Sequence, residues 1–155
     1  MRRRSTSALF AVAPPLAAAL IGSIGALRAA EQYEVADKPA WAPPARVFGP
    51  VWTGLYTAIG VAGWRLFRRD ADPKVLALHG AQLVLNAAWP FTFFTARNRT
   101  AAVAVNTALD IAIAAEIVAA NRRHRVAAML LTPYLAWSLF ATALSSRVQL
   151  PAEPT

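Results

Sequence analysis

The sequence predicts an all-α membrane protein, a bundle of five transmembrane helices. Hydrophobic residues make up 57% of the 155-residue chain and charged ones only 15%. The charges cluster between long uncharged runs: Ala8–Leu27, Val47–Trp64, Val75–Ala96 and Val126–Ser146 hold no Asp, Glu, Lys or Arg. Each run is about as long as a bilayer-crossing helix, which needs roughly 20 residues. A fifth run, Thr100–Asn121, is equally long and carries Asp110 and Glu116. The runs leave no room for a soluble domain, so residues 1–155 read as one membrane-embedded domain.

Each element follows in turn. The first span, 8–27, has the basic start and small-residue end of a secretory signal. Its apolar run exceeds the usual 7–15 residues and Arg28 sits beside any cleavage point, so it is expected to stay as a span. Pro14–Pro15 should kink it or mark its effective start. A loop over 28–44 comes next, containing "EQYEVADKPAWAPPAR". Long loops without secondary structure are uncommon unless they work as lids, and Trp41, Pro43 and Pro44 make this one look built to fold over a site.

The second span, 45–67, places Phe48, Trp52 and Tyr56 at i, i+4 and i+8, on one face. The third, 75–96, spaces His79, Gln82, Asn86, Trp89 and Phe93 by 3, 4, 3 and 4. At about 100° per residue these five share an arc of about 80°. Polar side chains are costly in lipid, so this stripe faces the bundle interior, either to bond another helix or to line a site. The fourth span, 100–121, carries Asp110 with Asn106 one turn earlier. An intramembrane acid is functional unless neutralised, and a protonated Asp110 bonded to Asn106 or to a neighbouring helix is expected. The fifth, 126–146, offers Tyr134, Trp137 and Ala141 at i, i+3 and i+7. Aromatic residues at span ends are commonly interface anchors. Trp52, Tyr56 and Trp137 instead stand well inside their spans, where polar-tipped rings suit a flat apolar ligand.

Short turns at 68–74, 97–99 and 122–125 force consecutive spans to run antiparallel. With five crossings, one side receives Arg2–Arg4, Arg65, Arg68, Arg69, Lys74, Arg122, Arg123 and Arg125, ten basic residues against six on the other. The bias toward positive residues inside puts the N-terminus in the cytoplasm and the C-terminus outside, across a cell (inner) membrane. The net charge of +8 flanks spans rather than forming one patch, which argues against nucleic acid as a partner. The absence of cysteine excludes disulfides, iron–sulfur clusters and thiolate haem ligation. There is no phosphate loop, metal-ligand cluster or nucleophile–base pair, so no metal site or required cofactor is expected. His79 alone is a weak haem ligand.

The blocks "KPAWAPPARVFGPVWTGLYTAIGVAGW", "AQLVLNAAWPFTFF" and "LLTPYLAWSLFATAL" occur in an order and at spacings that resemble the TspO/MBR family. These are tryptophan-rich sensory proteins related to the mitochondrial translocator protein. The resemblance covers about residues 8 to 146. It implies five transmembrane helices, often as a homodimer, around a pocket opening towards the first loop. It also implies a porphyrin ligand such as protoporphyrin IX or haem, with Trp52, Asn86, Trp89, Trp137 and Ala141 at motif positions that line the pocket and Trp41 in its lid. Two positions depart from the pattern: Gln32–Tyr33 stands where the family often has Trp-Tyr, and Leu144–Ser145 where Leu-Asn is common. No basic residue follows Tyr134 within five positions, so the cholesterol motif of animal members is absent there.

The expected ligand contacts are therefore Trp41, Pro43, Pro44, Phe48, Trp52, Tyr56, Gln82, Asn86, Trp89, Phe93, Tyr134, Trp137 and Ala141. The leading expectation is a membrane protein that sequesters or escorts porphyrins. Two alternatives stand beside it: light- or oxygen-dependent porphyrin breakdown through Trp52 and Trp137, and transport of small molecules or lipids. The lack of inverted repeats or broken helices argues mildly against transport.

Overall fold

The computed structural model describes residues 2–69 and 71–150. Among them the chain forms six α-helices: α1 (Arg2–Gly25), α2 (Ala29–Glu34), α3 (Phe48–Arg68), α4 (Pro73–Pro90), α5 (Arg99–Asn121) and α6 (Arg125–Arg147). No strand forms among these residues; Asp37 and Gln149 make an isolated antiparallel bridge. α1 packs against α3 and α4, α3 against α6, and α5 lies along both α4 and α6.

Local chemistry sets the helix ends. Asp72 accepts the Lys74 N–H (2.8 Å) and Pro73 follows at the first helical position, where its missing N–H costs nothing. Asn98 caps α5 by accepting the Ala101 N–H (2.9 Å). α4 stops short of the expected span end. Pro90 has no N–H to continue the ladder, and Phe91–Thr95 form a wider π-helical turn closed by Ala96 N–H to Phe91 C=O (2.7 Å). α1 is helical on both sides of Pro14–Pro15, so that pair is not the helix start.

The segment 28–44 differs from the expected unstructured loop. Arg28 turns the chain in the left-handed region (φ 70°), and Ala29–Glu34 then form α2. A single 3-10 turn, Ala45–Val47, leads into α3.

Two helices, Arg99–Asn121 and Arg125–Arg147, are long and apolar enough to cross a membrane by length and composition. The others are interrupted: α1 contributes a shorter apolar stretch, Ala13–Gly25, α3 ends on Arg65 and Arg68, and α4 carries the polar stripe. Apolar side chains nonetheless cover much of the outside. Leu20, Ile24, Val84, Ile111, Val118 and Met129 are all exposed, as lipid contact requires and water would penalise.

The buried core has two parts. Ile59, Leu66, Leu109, Ile113, Leu131 and Tyr134 fill the space among α3, α5 and α6. Tyr33, Phe93, Phe94, Leu144 and Val148 fill the end that carries α2.

Candidate functional site

A cavity of about 530 Å³ borders both parts of the core, within the range typical of small-molecule sites. α3 turns Phe48, Trp52 and Tyr56 into it, one face of the helix as their spacing predicts. α4 and its π turn supply Asn86, Trp89 and Phe93, the deeper part of the polar stripe, and α6 supplies Ala141. Opposite them α1 presents only small residues, Ala19, Gly22 and Ser23, continued by Ala26 just past its end, so that backbone forms a wall.

Asn86 ties three helices together beside the cavity. Tyr56 donates to its Oδ1 (2.5 Å), and its Nδ2 donates to Tyr134 Oη (2.9 Å). Both buried ends of the amide are thus satisfied and its rotamer is fixed. Trp52 stacks at a tilt on Tyr56 (5.4 Å) and meets Tyr134 edge-on (6.3 Å). On the other wall Trp89 stacks on Phe93 (5.5 Å), and its indole Nε1 is buried without an acceptor among the described residues.

The remaining expected contacts do not reach the cavity wall. Tyr134 lies behind Asn86, fully buried. Trp137 packs edge-on against Phe48 (5.7 Å) and tilts on Phe140 (5.2 Å). Gln82 is buried one turn before Asn86 on α4 and sits 3.5 Å from His79. Trp41 is 52% exposed and rests on Phe140 (5.8 Å), on the outside of α6. Pro43 touches the site only indirectly, its carbonyl accepting from Tyr33 Oη (2.9 Å), and Pro44 leads into the 3-10 turn before α3. The part of 28–44 that walls the cavity is α2, through Ala29, Ala30 and Tyr33. Burial, and then the charge of Glu34, pushes the Tyr33 phenol pKa up.

Sequence reasoning missed Tyr33, Arg46 and the α1 wall. Tyr33 entered only as the matching half of a pair whose other member, Gln32, departs from the family pattern. Arg46 was counted as a flanking charge, yet it lines the cavity where α3 begins. The small residues of α1, Gly22 among them, leave a wall without side chains, which spacing alone does not reveal.

Two buried polar clusters lie outside the cavity wall. His79 Nδ1 donates to Glu116 Oε1 (2.7 Å), joining α4 to α5 as an interhelical bond. Asp110 does not pair with Asn106; its Oδ2 accepts from Thr142 of α6 (2.7 Å), the neighbouring-helix arrangement. No cluster of three or more His, Cys, Asp or Glu side chains suited to a metal occurs among the described residues.

The model of the TspO/MBR family matches residues 10–150. The chain is 38% identical over 145 residues to the tryptophan-rich protein TspO of Archaeoglobus fulgidus, covering 90% of this chain and 94% of that one. It is 39% identical over 118 residues to the human translocator protein, covering 73% of this chain and 70% of that one. To the tryptophan-rich sensory protein of Cereibacter sphaeroides it is 34% identical over 119 residues, covering 77% of this chain and 75% of the other.

Proposed function

The chain belongs to the TspO/MBR family and is a membrane protein, and from that premise we propose that it binds a porphyrin within a bundle of five membrane-crossing helices. In this reading the protein sequesters or escorts protoporphyrin IX or haem. The observation that carries it is the cavity: about 530 Å³, walled by flat rings on α3 and α4 and by bare backbone on α1. A rigid planar macrocycle fits such a slot because ring faces contact it without losing side-chain freedom. The polar groups suit a porphyrin's edge. Arg46 at the cavity wall can pair with an acidic substituent, and the unpaired Trp89 indole N–H can donate to an oxygen. With five crossings the N-terminus lies in the cytoplasm and α2 on the outer side of a cell membrane.

Titration of the purified protein with protoporphyrin IX tests the assignment. Trp52→Ala should weaken binding by about 2–4 kcal/mol, because it leaves part of the wall unfilled. Trp41→Ala should leave affinity within about 0.5 kcal/mol of the parent, because Trp41 sits on the outer surface. Equal losses in both variants, or none in Trp52→Ala, would remove the cavity as the porphyrin site.

One observation favours a second reading, photo-oxidative porphyrin breakdown. Trp52 lines the cavity and touches two tyrosine rings, so an oxidised indole there has phenols within reach. A Trp52→Phe variant that binds porphyrin but forms no coloured product in light would support the enzyme; product formation undiminished in that variant would exclude Trp52 from the chemistry.

A further inference from the structure

At the end of the molecule opposite α2, a second hollow of about 240 Å³ is lined by Arg65 of α3, by Arg69 just past its end, by Arg122, Arg123 and His124 from the α5–α6 turn, and by Arg125 at the start of α6. The remainder of its wall is the first turn of α6, Val126 and Ala127. These five arginines, from two separate turns of the chain, share one concavity. Among the described residues none of them has an acidic partner; the ion pair found there is His79–Glu116. His124, the residue capping α6, makes no side-chain cap bond, and its Nδ1 is buried without a partner. The free N–H groups of the α6 first turn therefore add positive potential to the guanidinium groups.

We propose that this hollow is a phosphate-binding site and that an anionic phospholipid headgroup occupies it. Guanidinium forks match phosphate oxygens in pairs, and a helix N-terminus donates to the same oxygens. Position selects the lipid. The turn 122–125 joins the two helices that are long and apolar enough to cross a membrane, which sets it at the depth of the headgroups. Exposed Val126 on the rim and exposed Met129, one turn further along the same face, continue the hollow as an apolar track for an acyl chain. Such a site needs only the membrane setting, whatever fills the cavity at the other end.

The test places the purified protein in phosphatidylcholine nanodiscs and follows its thermal midpoint in two arms, one adding phosphatidylglycerol and the other inorganic phosphate. Phosphatidylglycerol should raise the midpoint saturably. The pair Arg122→Gln with Arg125→Gln should need at least about tenfold more of it, as loss of charge-assisted bonds requires. The pair Arg99→Gln with Arg147→Gln, which removes the same charge elsewhere, should behave as the parent. Native mass spectrometry of the unaltered protein gives a readout that needs no variant: phosphatidylglycerol should be retained in preference to phosphatidylcholine. A response saturated by inorganic phosphate, with no lipid retained, keeps the phosphate site and overturns the lipid. Equal loss in both paired variants, or no response and no retention in either arm, overturns the site itself.

Discussion

A missing methyl at position 63 is what lets His79 reach Glu116. A Cβ built there would stand 2.5 Å from His79 Nε2, and the ring cannot retreat because its Nδ1 is held by Glu116. Gly63→Ala is therefore expected to destabilise the protein by about 1–3 kcal/mol through overpacking. Gly54→Ala, also within α3 and with nothing within 4 Å of its added methyl, should stabilise by about 0.5–1 kcal/mol through helix propensity. Thermal unfolding in one detergent compares the two; a Gly63→Ala midpoint at or above that of Gly54→Ala would contradict the packing argument. This contrast is invisible in the sequence, where both are glycines on an apolar helix. The stripe itself was legible, since spacing by 3 and 4 fixes a shared face whatever the tertiary contacts. How deep each member of the stripe sits was not, because that depends on neighbouring helices.

At the scale of elements, long apolar runs, uncharged for α3 and α6 and carrying only Asp110 and Glu116 for α5, made these three helices legible to within a few residues. α2 was not: six residues without apolar periodicity, entered through an arginine at positive φ, give no pattern for sequence reading to find. The π turn after Pro90 was equally hidden, because a proline announces a break in the ladder but not how the chain repairs it. Trp41 shows the same limit. Its size suggested a lid, but Phe140 on α6 holds it outside, and the wall is built by α2 instead. The docking of α2 carries its own pH dependence. The Tyr33 phenol pKa is raised in the folded protein, so the folded state holds this proton more tightly than the unfolded chain does. Its contribution is complete below the ordinary phenol value of about 10 and is lost as pH rises through the higher folded value. Melting curves taken from pH ~8 to ~11 should fall more steeply for the parent than for Tyr33→Phe, which has no phenol to ionise. Parallel curves would place Tyr33 in contact with water.

At the scale of the whole molecule, the helix order puts α2 and the end of α6 together and sends the arginine hollow to the far end. The chain has no cysteine, so any introduced thiol is unique. Val35→Cys, at a residue 69% exposed beside α2, should react with an impermeant maleimide added outside intact cells. Arg123→Cys should react only after the membrane is opened. Labelling of both from one side would disprove an odd number of crossings between them. The contact that joins the two ends of the chain also bears on time rather than affinity. Asp37 and Gln149 exchange two backbone hydrogen bonds, each 3.0 Å, so the segment carrying α2 is fastened to the residue two places beyond α6. In the proposed reading, a porphyrin that leaves past α2 would have to wait for that fastening to open, so its residence time would follow the frequency of opening. Val148 already has the extended backbone that a following proline demands (φ −75°, ψ 135°), so Gln149→Pro removes the Gln149 N–H bond without forcing Val148 to move. One bond is worth about 0.5–1.5 kcal/mol, so dissociation in a stopped-flow chase should quicken by roughly 2- to 12-fold, while the association rate changes little.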